Sequence, residues 1–275
     1  MIDQALIDSL KIPKYPSITE IKATGNIFVI GDVHGCVEEL CELLSNICTY
    51  QVDCRQDYSK PGTIIFLGDL VDRGPESKEV VNLARSLQED SPTQVYCLLG
   101  NHEETHVRYE RHWRNGANPI PMKKSQEFIE THMSLRPTDF DWMATLPTAI
   151  QWENFIFTHA GIIQGRGIRQ ETKGFLRNRF VQKTDDKYSP VGSWFDENLQ
   201  KWCHPERSTH WSEIYSEPTK VVYGHENWPE VNIRGNSIGI DTSCCYGGKL
   251  TAMVINTETK DVSFLSVPAR KVYYK

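Results

Sequence analysis

The sequence predicts an α/β fold in which two mixed β-sheets pack together and helices flank them. Apolar, β-branched runs at 26–30, 63–67 and 94–99 are typical of buried strands, and each precedes a segment with helical spacing. This alternation predicts parallel strands with right-handed crossovers. In the second half of the chain, the alternation of residues along the predicted strands is typical of a mixed or antiparallel sheet. These strands are predicted at 149–152, 154–159, 221–224, 237–241, 249–256 and 262–267.

The segments between the strands predict the helices and the domain organisation. Apolar residues at helical spacing predict helices over 36–48, 75–87 and 102–114. We expect a single domain over 1–275, with a helical insertion or lid at about 104–147. Residues 183–210 are polar with little periodicity and predict an irregular connection.

Composition and charge exclude several classes of protein. The chain is 39% hydrophobic and 24% charged, as in ordinary globular proteins. Its net charge of −6 argues against a general nucleic-acid binder, so we expect no stable nucleic-acid complex. No apolar run approaches the roughly 18 residues of a membrane helix, so no membrane partner is expected.

The cysteines and the N-terminus indicate the cellular compartment in which the protein is expected. None of the eight cysteines forms a C-x-x-C pair, and Cys41, Cys48 and Cys97 lie in apolar runs. This pattern is typical of reduced, mostly buried thiols, and the first residues lack the features of a signal peptide. We therefore predict a cytoplasmic protein. The adjacent Cys244 and Cys245 are interpreted as packing residues rather than a redox pair.

Each of the first three predicted strands ends in a glycine that is followed by residues able to bind a metal. The three segments are Gly-Asp-Val-His-Gly at 31–35, Gly-Asp-Leu-Val-Asp-Arg-Gly at 68–74 and Gly-Asn-His-Glu at 100–103. His159 and His225 follow two later strands. Ligands bind outside the carboxyl ends of the strands in open α/β sheets, so we expect these segments to converge. Asp, Asn and His suit Mn²⁺, Fe or Zn²⁺.

In this order, the motifs resemble the signature of the phosphoprotein phosphatase family of calcineurin-like metallophosphoesterases. The likeness is to the bacterial-type branch, which includes phage-type protein phosphatases, dinucleoside-tetraphosphatase relatives and polynucleotide kinase-phosphatases. Residues 240–252 resemble that branch's Asp-Thr-Gly…Gly-Gly-x-Leu-Thr segment, with Ser243 where the branch usually has glycine. The resemblance implies the calcineurin-like metallophosphoesterase fold with a dimetal site at the carboxyl ends of the strands.

The resemblance also implies a ligand set for two divalent ions. Asp32 and His34 would bind the first ion, and Asp69 would bridge both. The second ion would be bound by Asn101, His159 and His225. We expect Mn²⁺, with Fe or Zn²⁺ as alternatives. In this family a hydroxide that bridges the metals attacks phosphorus directly, so no Ser or Cys nucleophile is expected.

Four further residues are implied in catalysis or substrate binding. His102 would face the leaving oxygen, with Asp72 as its orienting partner. Arg73 would bind the phosphoryl oxygens together with Asn101, because a guanidinium fork matches them. Residues 175–179 resemble the family's Trp-x-Arg segment, which favours Arg177 as the second arginine and leaves Arg179 as its rival.

The motifs leave two substrate classes open. The leading interpretation is a phosphatase that hydrolyses phosphate monoesters, as in phosphoserine and phosphothreonine proteins. The alternative is a hydrolase of dinucleoside polyphosphates or RNA ends, acting on a phosphorylated small molecule or nucleotide. Asp72 and Glu103 favour the first, because symmetrical diadenosine tetraphosphatases usually have Ala and Asp there. A non-catalytic scaffold is disfavoured, because none of the six implied ligands is lost.

Basic segments at 105–124 and 164–183 favour the nucleotide alternative. Arg108, Arg111 and Arg114 are three residues apart on a predicted helix, which predicts that they share one face. Such a face is either simply solvated or forms a basic rim around an anionic substrate.

Overall fold

Sixteen strands and seven α-helices are present in the computed structural model, which describes residues 18–23, 25–53, 62–167, 170, 172–185, 187–196 and 201–275. The strands are β1 (Thr19–Glu20), β2 (Asn26–Ile30), β3 (Thr63–Phe66), β4 (Gln94–Cys97), β5 (Ala149–Trp152), β6 (Phe155–Thr158), β7 (Phe180–Thr184), β8 (Lys187–Val191), β9 (Trp194–Asp196), β10 (Lys201–Cys203), β11 (Thr209–His210), β12 (Lys220–Tyr223), β13 (Asn232–Arg234), β14 (Ser237–Gly239), β15 (Lys249–Asn256) and β16 (Val262–Pro268). The helices are α1 (Val37–Asp53), α2 (Ser77–Asp90), α3 (Asn101–Arg114), α4 (Gln126–Ser134), α5 (Pro137–Met143), α6 (Thr172–Arg177) and α7 (Trp211–Ile214).

Two mixed sheets form the centre of the fold. One has the order β16-β15-β2-β3-β4, in which β2, β3 and β4 are parallel and β15 is antiparallel to β2. The other has the order β1-β5-β6-β12-β14-β13, with β6, β12 and β14 parallel. The predicted architecture of two mixed sheets flanked by helices is confirmed. The parallel strands of both sheets direct their carboxyl ends to the site described below.

Side chains that alternate along the strands build the core on both faces of the first sheet. On β2, Ile27 and Val29 pack between the two sheets, whereas Phe28 and Ile30 pack against the helices. All four are fully buried. Removing such a side chain from water stabilises the fold by roughly 1.5–3 kcal/mol. A strand buried on both faces is apolar throughout, which explains the unbroken run at 26–30.

The long helix α1 follows the predicted helical periodicity. Leu40, Leu43 and Ile47 are buried on its inner face. Cys41 and Cys48 are exposed on its outer face, so the prediction that they are buried thiols was wrong. Their positions fall between the apolar positions of the helical period, and a cysteine is small enough to occupy either face.

Three helices cover most of the segment predicted as an insertion. Helix α3 begins at Asn101, and α4 and α5 follow it. The ring of His132, on α4, stacks 4.5 Å from that of Phe140 and 5.4 Å from that of His106. These contacts join the three helices. A role for this segment as a lid stays a prediction.

The polar segment at 183–210 contains short strands, so the prediction of an irregular connection was wrong. Strands β7, β8 and β11 form a three-stranded sheet, and β9 pairs with β10. Strand β8 is exposed or half-buried along its whole length, so it has no apolar alternation for a sequence to reveal. Within the part of the chain that the structure describes, no helix is long and apolar enough to cross a bilayer.

Candidate dimetal active site

All six predicted metal ligands lie at the carboxyl ends of strands in the two central sheets. Asp32 follows β2, Asp69 follows β3 and Asn101 opens the helix after β4. His159 and His225 follow β6 and β12 of the other sheet. The site therefore spans the edge where both sheets end, and it brings together residues up to 193 positions apart, such as Asp32 and His225.

The turns that carry these ligands use uncommon backbone conformations. His34, Asp69 and His225 have φ values of 46°, 50° and 67°, in the left-handed region. A non-glycine residue in such a conformation costs about 1–3 kcal/mol and persists only where the surroundings impose it. Here the strain turns three side chains toward one centre.

Asp69 lies at the middle of the cluster. Its Oδ2 is 3.5 Å from His34 Nε2 and 3.4 Å from His159 Nε2. Ligand atoms of Asp69, His159 and His225 lie within 4.8 Å of one another, as do those of Asp69, His34 and His102. One carboxylate thus belongs to both groups, the position expected for a bridging ligand.

Backbone contacts fix the histidine tautomers. His34 Nδ1 donates to the Val71 carbonyl at 2.7 Å, and His159 Nδ1 donates to the Leu67 carbonyl at 3.0 Å. In each ring this contact leaves Nε2 directed to the centre, as the nitrogen that would bind a metal. Burial, and then the nearby Arg73, hold the pKa of His34 well below its usual value. The ring is thus neutral at physiological pH.

Unpartnered carboxylate oxygens show that the cluster fits cations. Asp32 accepts from the His225 N–H at 2.9 Å through Oδ2, while its Oδ1 is buried without a hydrogen-bond partner. Burial, and then Asp241 and Asp69, raise the pKa of Asp32 well above its usual value. A divalent ion would offset this repulsion. The donor set of carboxylates, imidazoles and an amide suits Mn²⁺, Fe or Zn²⁺.

Asp241 is a carboxylate of the site that the sequence analysis did not assign. It follows β14, is 4% exposed and has an unpartnered, buried Oδ2. Its Oδ1 accepts from the Ser243 N–H at 3.0 Å. A usable signal was present, because Asp241 lies in the segment 240–252 that carries the resemblance to the family.

Glu103 holds the Asp69 turn in place. Its carboxylate accepts from the backbone N–H groups of Asp69, Leu70, Val71 and Gly100 at 2.7–3.2 Å. A Cβ on Gly100 would overlap the Asp69 backbone nitrogen, so only glycine allows this close approach. Glu103 thereby ties the end of β3 to the start of α3.

His102 and Asp72 form the predicted pair, and the pair continues into a buried network. His102 Nδ1 donates to Asp72 Oδ2 at 2.6 Å, and His106 Nε2 donates to Asp72 Oδ1 at 2.9 Å. Burial opposes ionisation of Asp72, but these two hydrogen bonds lower its pKa below the usual value. His106 Nδ1 is 3.1 Å from His132 Nδ1.

His106 and His132 are members of this network that were not predicted from the sequence. His106 lies four residues after His102 and therefore one turn further along the same helix face, which was a usable signal. His132 comes from α4, and nothing in the sequence joins it to α3.

The three arginines occupy different places. Arg73 Nη1 donates to His34 Nε2 at 2.6 Å, and its guanidinium lies over the Tyr246 ring. Arg177 Nη2 donates to the Asn101 carbonyl at 3.1 Å and to Glu104 at 2.7 Å. Arg179 Nε donates to His225 Nε2 at 3.0 Å. Both Arg177 and Arg179 thus reach the site, and the choice between them stays a prediction.

Two cavities meet at this centre. The first, of about 630 Å³, is lined by Arg179, His225, Ile163, Arg166 and the chain around Val191. The second, of about 940 Å³, is lined by Asp72, Phe128, Tyr246, Tyr274 and several cations. Arg73, Asn101, His102 and Arg177 line both. The site is therefore open on two sides.

The prediction that the arginines of α3 share one helix face was wrong. Arg108 lines the second cavity, whereas Arg114 pairs with Glu110 and Asp141 at 2.7 and 2.6 Å. Steps of three residues fall about 60° short of a full turn, so the two arginines point about 120° apart. Arg169, in the other basic segment, lies outside the described residues.

The segment at 240–252 follows β14 and borders the site through Asp241. Ser243 has φ 64°, ψ 39°, in the left-handed region where the resemblance expects glycine. Cys244 and Cys245 are buried in the short 3₁₀ turn that follows. Burial raises the pKa of Cys245 to about 12, so its thiol is neutral. The interpretation of this pair as packing residues fits these positions.

Comparisons with known proteins agree with this geometry. The chain belongs to the calcineurin-like phosphoesterase family, whose profile matches residues 25–254. It is therefore a phosphoester hydrolase of a metal-dependent family.

Curated relatives cover nearly the whole chain. An asymmetrical bis(5′-nucleosyl)-tetraphosphatase of Halalkalibacterium halodurans is 27% identical and covers 88% of this chain and 94% of its own length. A second, from Oceanobacillus iheyensis, is 28% identical, with coverage of 90% and 94%. A symmetrical bis(5′-nucleosyl)-tetraphosphatase of a Janthinobacterium strain is 24% identical, with coverage of 84% and 93%.

Solved structures show the same fold. A structure provisionally assigned as a diadenosine tetraphosphatase aligns with a TM-score of 0.66 at 22% identity, covering 93% of this chain and 99% of that one. A serine/threonine phosphatase from Saccharomyces cerevisiae aligns with a TM-score of 0.56 at 16% identity, covering 94% and 85%. At these identities the likeness concerns the fold alone.

Proposed function

We propose that this protein is a dimetal hydrolase that cleaves the polyphosphate chain of dinucleoside polyphosphates. The observation that carries the proposal is the pair of cavities that meet at the dimetal centre. A dinucleoside tetraphosphate has a nucleoside at each end of an anionic chain, and such a molecule needs room on both sides of the attacked phosphorus. The names of the curated relatives support the same substrate class. The preference for phosphoproteins gains no specific support.

The site residues have the following proposed roles. Asp32, His34 and Asp69 would hold one divalent ion, and Asp69, Asn101, His159 and His225 the other. These ions would supply Lewis-acid activation of a water molecule and of the phosphoryl group. Arg73 and Arg177 bind the phosphoryl oxygens through charge-assisted hydrogen bonds. We keep Mn²⁺ as the expected ion.

His102 supplies a proton to the leaving oxygen. Its Nδ1 is bound to Asp72, so its Nε2 faces the centre, 3.8 Å from Asp69 Oδ2. The Asp72 carboxylate holds the ring in this orientation. A cytoplasmic location stays part of the proposal, supported by the unpaired, buried Cys36, Cys97, Cys244 and Cys245.

A substrate panel tests the proposal. Diadenosine tetraphosphate, a phosphoserine peptide, 5′-phosphorylated RNA and p-nitrophenyl phosphate are compared in Mn²⁺ at equal enzyme concentration. We expect the highest kcat/KM for the tetraphosphate, and an Asp69→Asn preparation controls for contaminating activity. Equal or faster turnover of the phosphopeptide would overturn the nucleotide assignment and restore the phosphoprotein interpretation.

A further inference from the structure

A second group of side chains able to bind a metal lies in the core, outside the dimetal centre. The sulfur atoms of Cys36 and Cys244 and a carboxylate oxygen of Glu39 all lie within 4.8 Å of one another. The exposed fractions of these residues are 1%, 2% and 0%. None of the three has a role in the proposed function, so the cluster calls for an explanation of its own.

Glu39 has one oxygen that the surrounding fold leaves without a partner. Its Oε1 accepts from the Arg270 backbone N–H and from the Tyr273 hydroxyl, each at 2.7 Å. Its Oε2 is buried and has no hydrogen-bond partner among the described residues. Burying an unpaired carboxylate oxygen is costly, and a cation held between this oxygen and the two sulfur atoms would offset the cost.

The spacing of the cluster suits a four-coordinate cation. Zn²⁺ bonds of about 2.3 Å to sulfur and about 2.0–2.2 Å to oxygen hold tetrahedral ligand atoms roughly 3.3–3.8 Å apart. The three side chains reach this arrangement through small rotations, because their ligand atoms already lie within 4.8 Å of one another. The His34 carbonyl oxygen is 3.6 Å from Cys36 Sγ, the spacing of a fourth ligand.

The chemistry of the thiols favours a cation over a disulfide. The Cys36 thiol, and then burial, raise the pKa of Cys244 above its usual value. A neutral thiol is a poor nucleophile toward a peroxide or a disulfide, so oxidation of this pair is disfavoured. A bound Zn²⁺, by contrast, removes the proton of a thiol that coordinates it.

We propose that Cys36, Cys244 and Glu39 form a structural site for one thiophilic divalent cation of the Zn²⁺ class, separate from the dimetal centre. Thiolates select Zn²⁺ over Mn²⁺, which prefers oxygen ligands. Binding releases the two thiol protons to solvent. The cation links the turn that carries His34 to the turn that follows Asp241, and it does so whatever the substrate of the enzyme.

Cobalt spectroscopy tests for thiolate ligation. Co²⁺ is added without air, in a phosphine reductant, to protein whose dimetal centre has first been filled with Mn²⁺. We expect a near-ultraviolet thiolate-to-cobalt charge-transfer band, which the carboxylates and imidazoles of the dimetal centre cannot produce. Cys244→Ser should lose the band, and Cys41→Ser, which removes an exposed thiol from α1, should keep it. No band in the wild type, or a band that persists in Cys244→Ser, would overturn the proposal.

An isosteric variant covers the case in which Cys244→Ser fails to fold. Glu39→Gln keeps the shape of the side chain and an acceptor for Arg270 and Tyr273, but it removes the charge. We expect Co²⁺ to bind at the thiolate band at least about tenfold more weakly than in Cys41→Ser, with the far-UV circular dichroism unchanged. Equal affinity in the two variants would contradict a site built on Glu39.

Zinc content separates this site from the dimetal centre. Each variant is saturated with Zn²⁺, freed of excess by gel filtration and measured by elemental analysis. Cys244→Ser should hold one zinc ion per chain fewer than Cys41→Ser, and equal contents would overturn the proposal. Asp69→Asn should weaken the dimetal centre yet keep the cobalt band. Because neither readout uses a substrate, failure to cleave a dinucleoside polyphosphate would leave this inference standing.

Discussion

At the scale of single residues, the hydrogen bonds of Asp72 distinguish a residue that can donate a proton from residues that hold it in position. Asp72 offers one oxygen to His102 and the other to His106, so its carboxylate is fixed from both sides. Of the two histidines, His102 borders both cavities and can reach a leaving oxygen, whereas His106 borders neither.

Replacing His102 should therefore slow the reaction in a way that depends on the leaving group. His102→Asn should lower kcat by roughly 10²–10⁴-fold for a poor alkyl phosphate, because that oxygen leaves only with a proton. The loss on p-nitrophenyl phosphate should be much smaller. Steady-state kinetics on both substrates measure this, and equal losses would show that His102 orients the site instead.

His106 should behave as a positioning residue with a weaker version of the same signature. His106→Phe keeps an aromatic ring against Phe128 but leaves Asp72 Oδ1 without its donor. We expect a fall in kcat of about tenfold for the alkyl phosphate, a smaller fall for p-nitrophenyl phosphate, and little change in KM. A loss that is the same on both substrates would indicate a general structural role.

At the scale of elements, the junction between β3 and α3 sets the geometry of the bridging carboxylate. Glu103, in the first turn of α3, accepts from the N–H groups that follow β3, and Gly100 makes the approach close enough. These contacts therefore fix the start of α3 relative to the end of β3.

A methyl group at Gly100 should disrupt these contacts between β3 and α3. Gly100→Ala places its Cβ against the Asp69 backbone and carboxylate, and overpacking of this kind costs about 1–3 kcal/mol. We expect loss of metal-dependent activity by at least about a hundredfold, with the far-UV circular dichroism retained. Gly116→Ala is the matched control: no atom lies within 4 Å of its Cβ, so it should lose stability through its φ of 74° while activity persists.

At the scale of the whole molecule, buried carboxylates and imidazoles make stability depend on cations and on pH. Asp32, Asp69 and Asp241 are all at most 4% exposed, and burial together with the charges of Asp241 and Asp69 disfavours ionised Asp32, which a bound cation would offset.

Divalent ions should consequently stabilise the fold as well as support activity. Mn²⁺ at about a hundred times its dissociation constant should add about 2.7 kcal/mol, seen as a higher Tm. A chelator should abolish activity, and Mn²⁺ should restore it better than Mg²⁺, because Mg²⁺ prefers all-oxygen sites. Full activity in a preparation shown by elemental analysis to be metal-free would contradict this expectation.

Acid should destabilise the helical segment through His132. Burial, and then His106, lower the pKa of His132 to about 4 in the folded chain. The unfolded chain, with a pKa near 6.5, binds this proton first, so stability present above pH 6.5 should be lost as the pH falls toward 4. His132→Phe should flatten the dependence of the urea midpoint on pH over this range, and an unchanged slope would contradict this role of His132.

The sequence by itself determined the strands that are buried on both faces and the turns at their carboxyl ends, where the six predicted ligands lie. These follow from local rules: apolar periodicity, and glycine where the chain turns sharply. Tertiary structure alone decided that Asp241 joins Asp32, that His132 meets His106 and that Arg108 rather than Arg114 faces a cavity. Such contacts depend on how elements far apart in the chain are oriented against one another. An offset of about 60° for each step of three residues, accumulated over two steps, directs Arg108 to a cavity and Arg114 to a neighbouring helix.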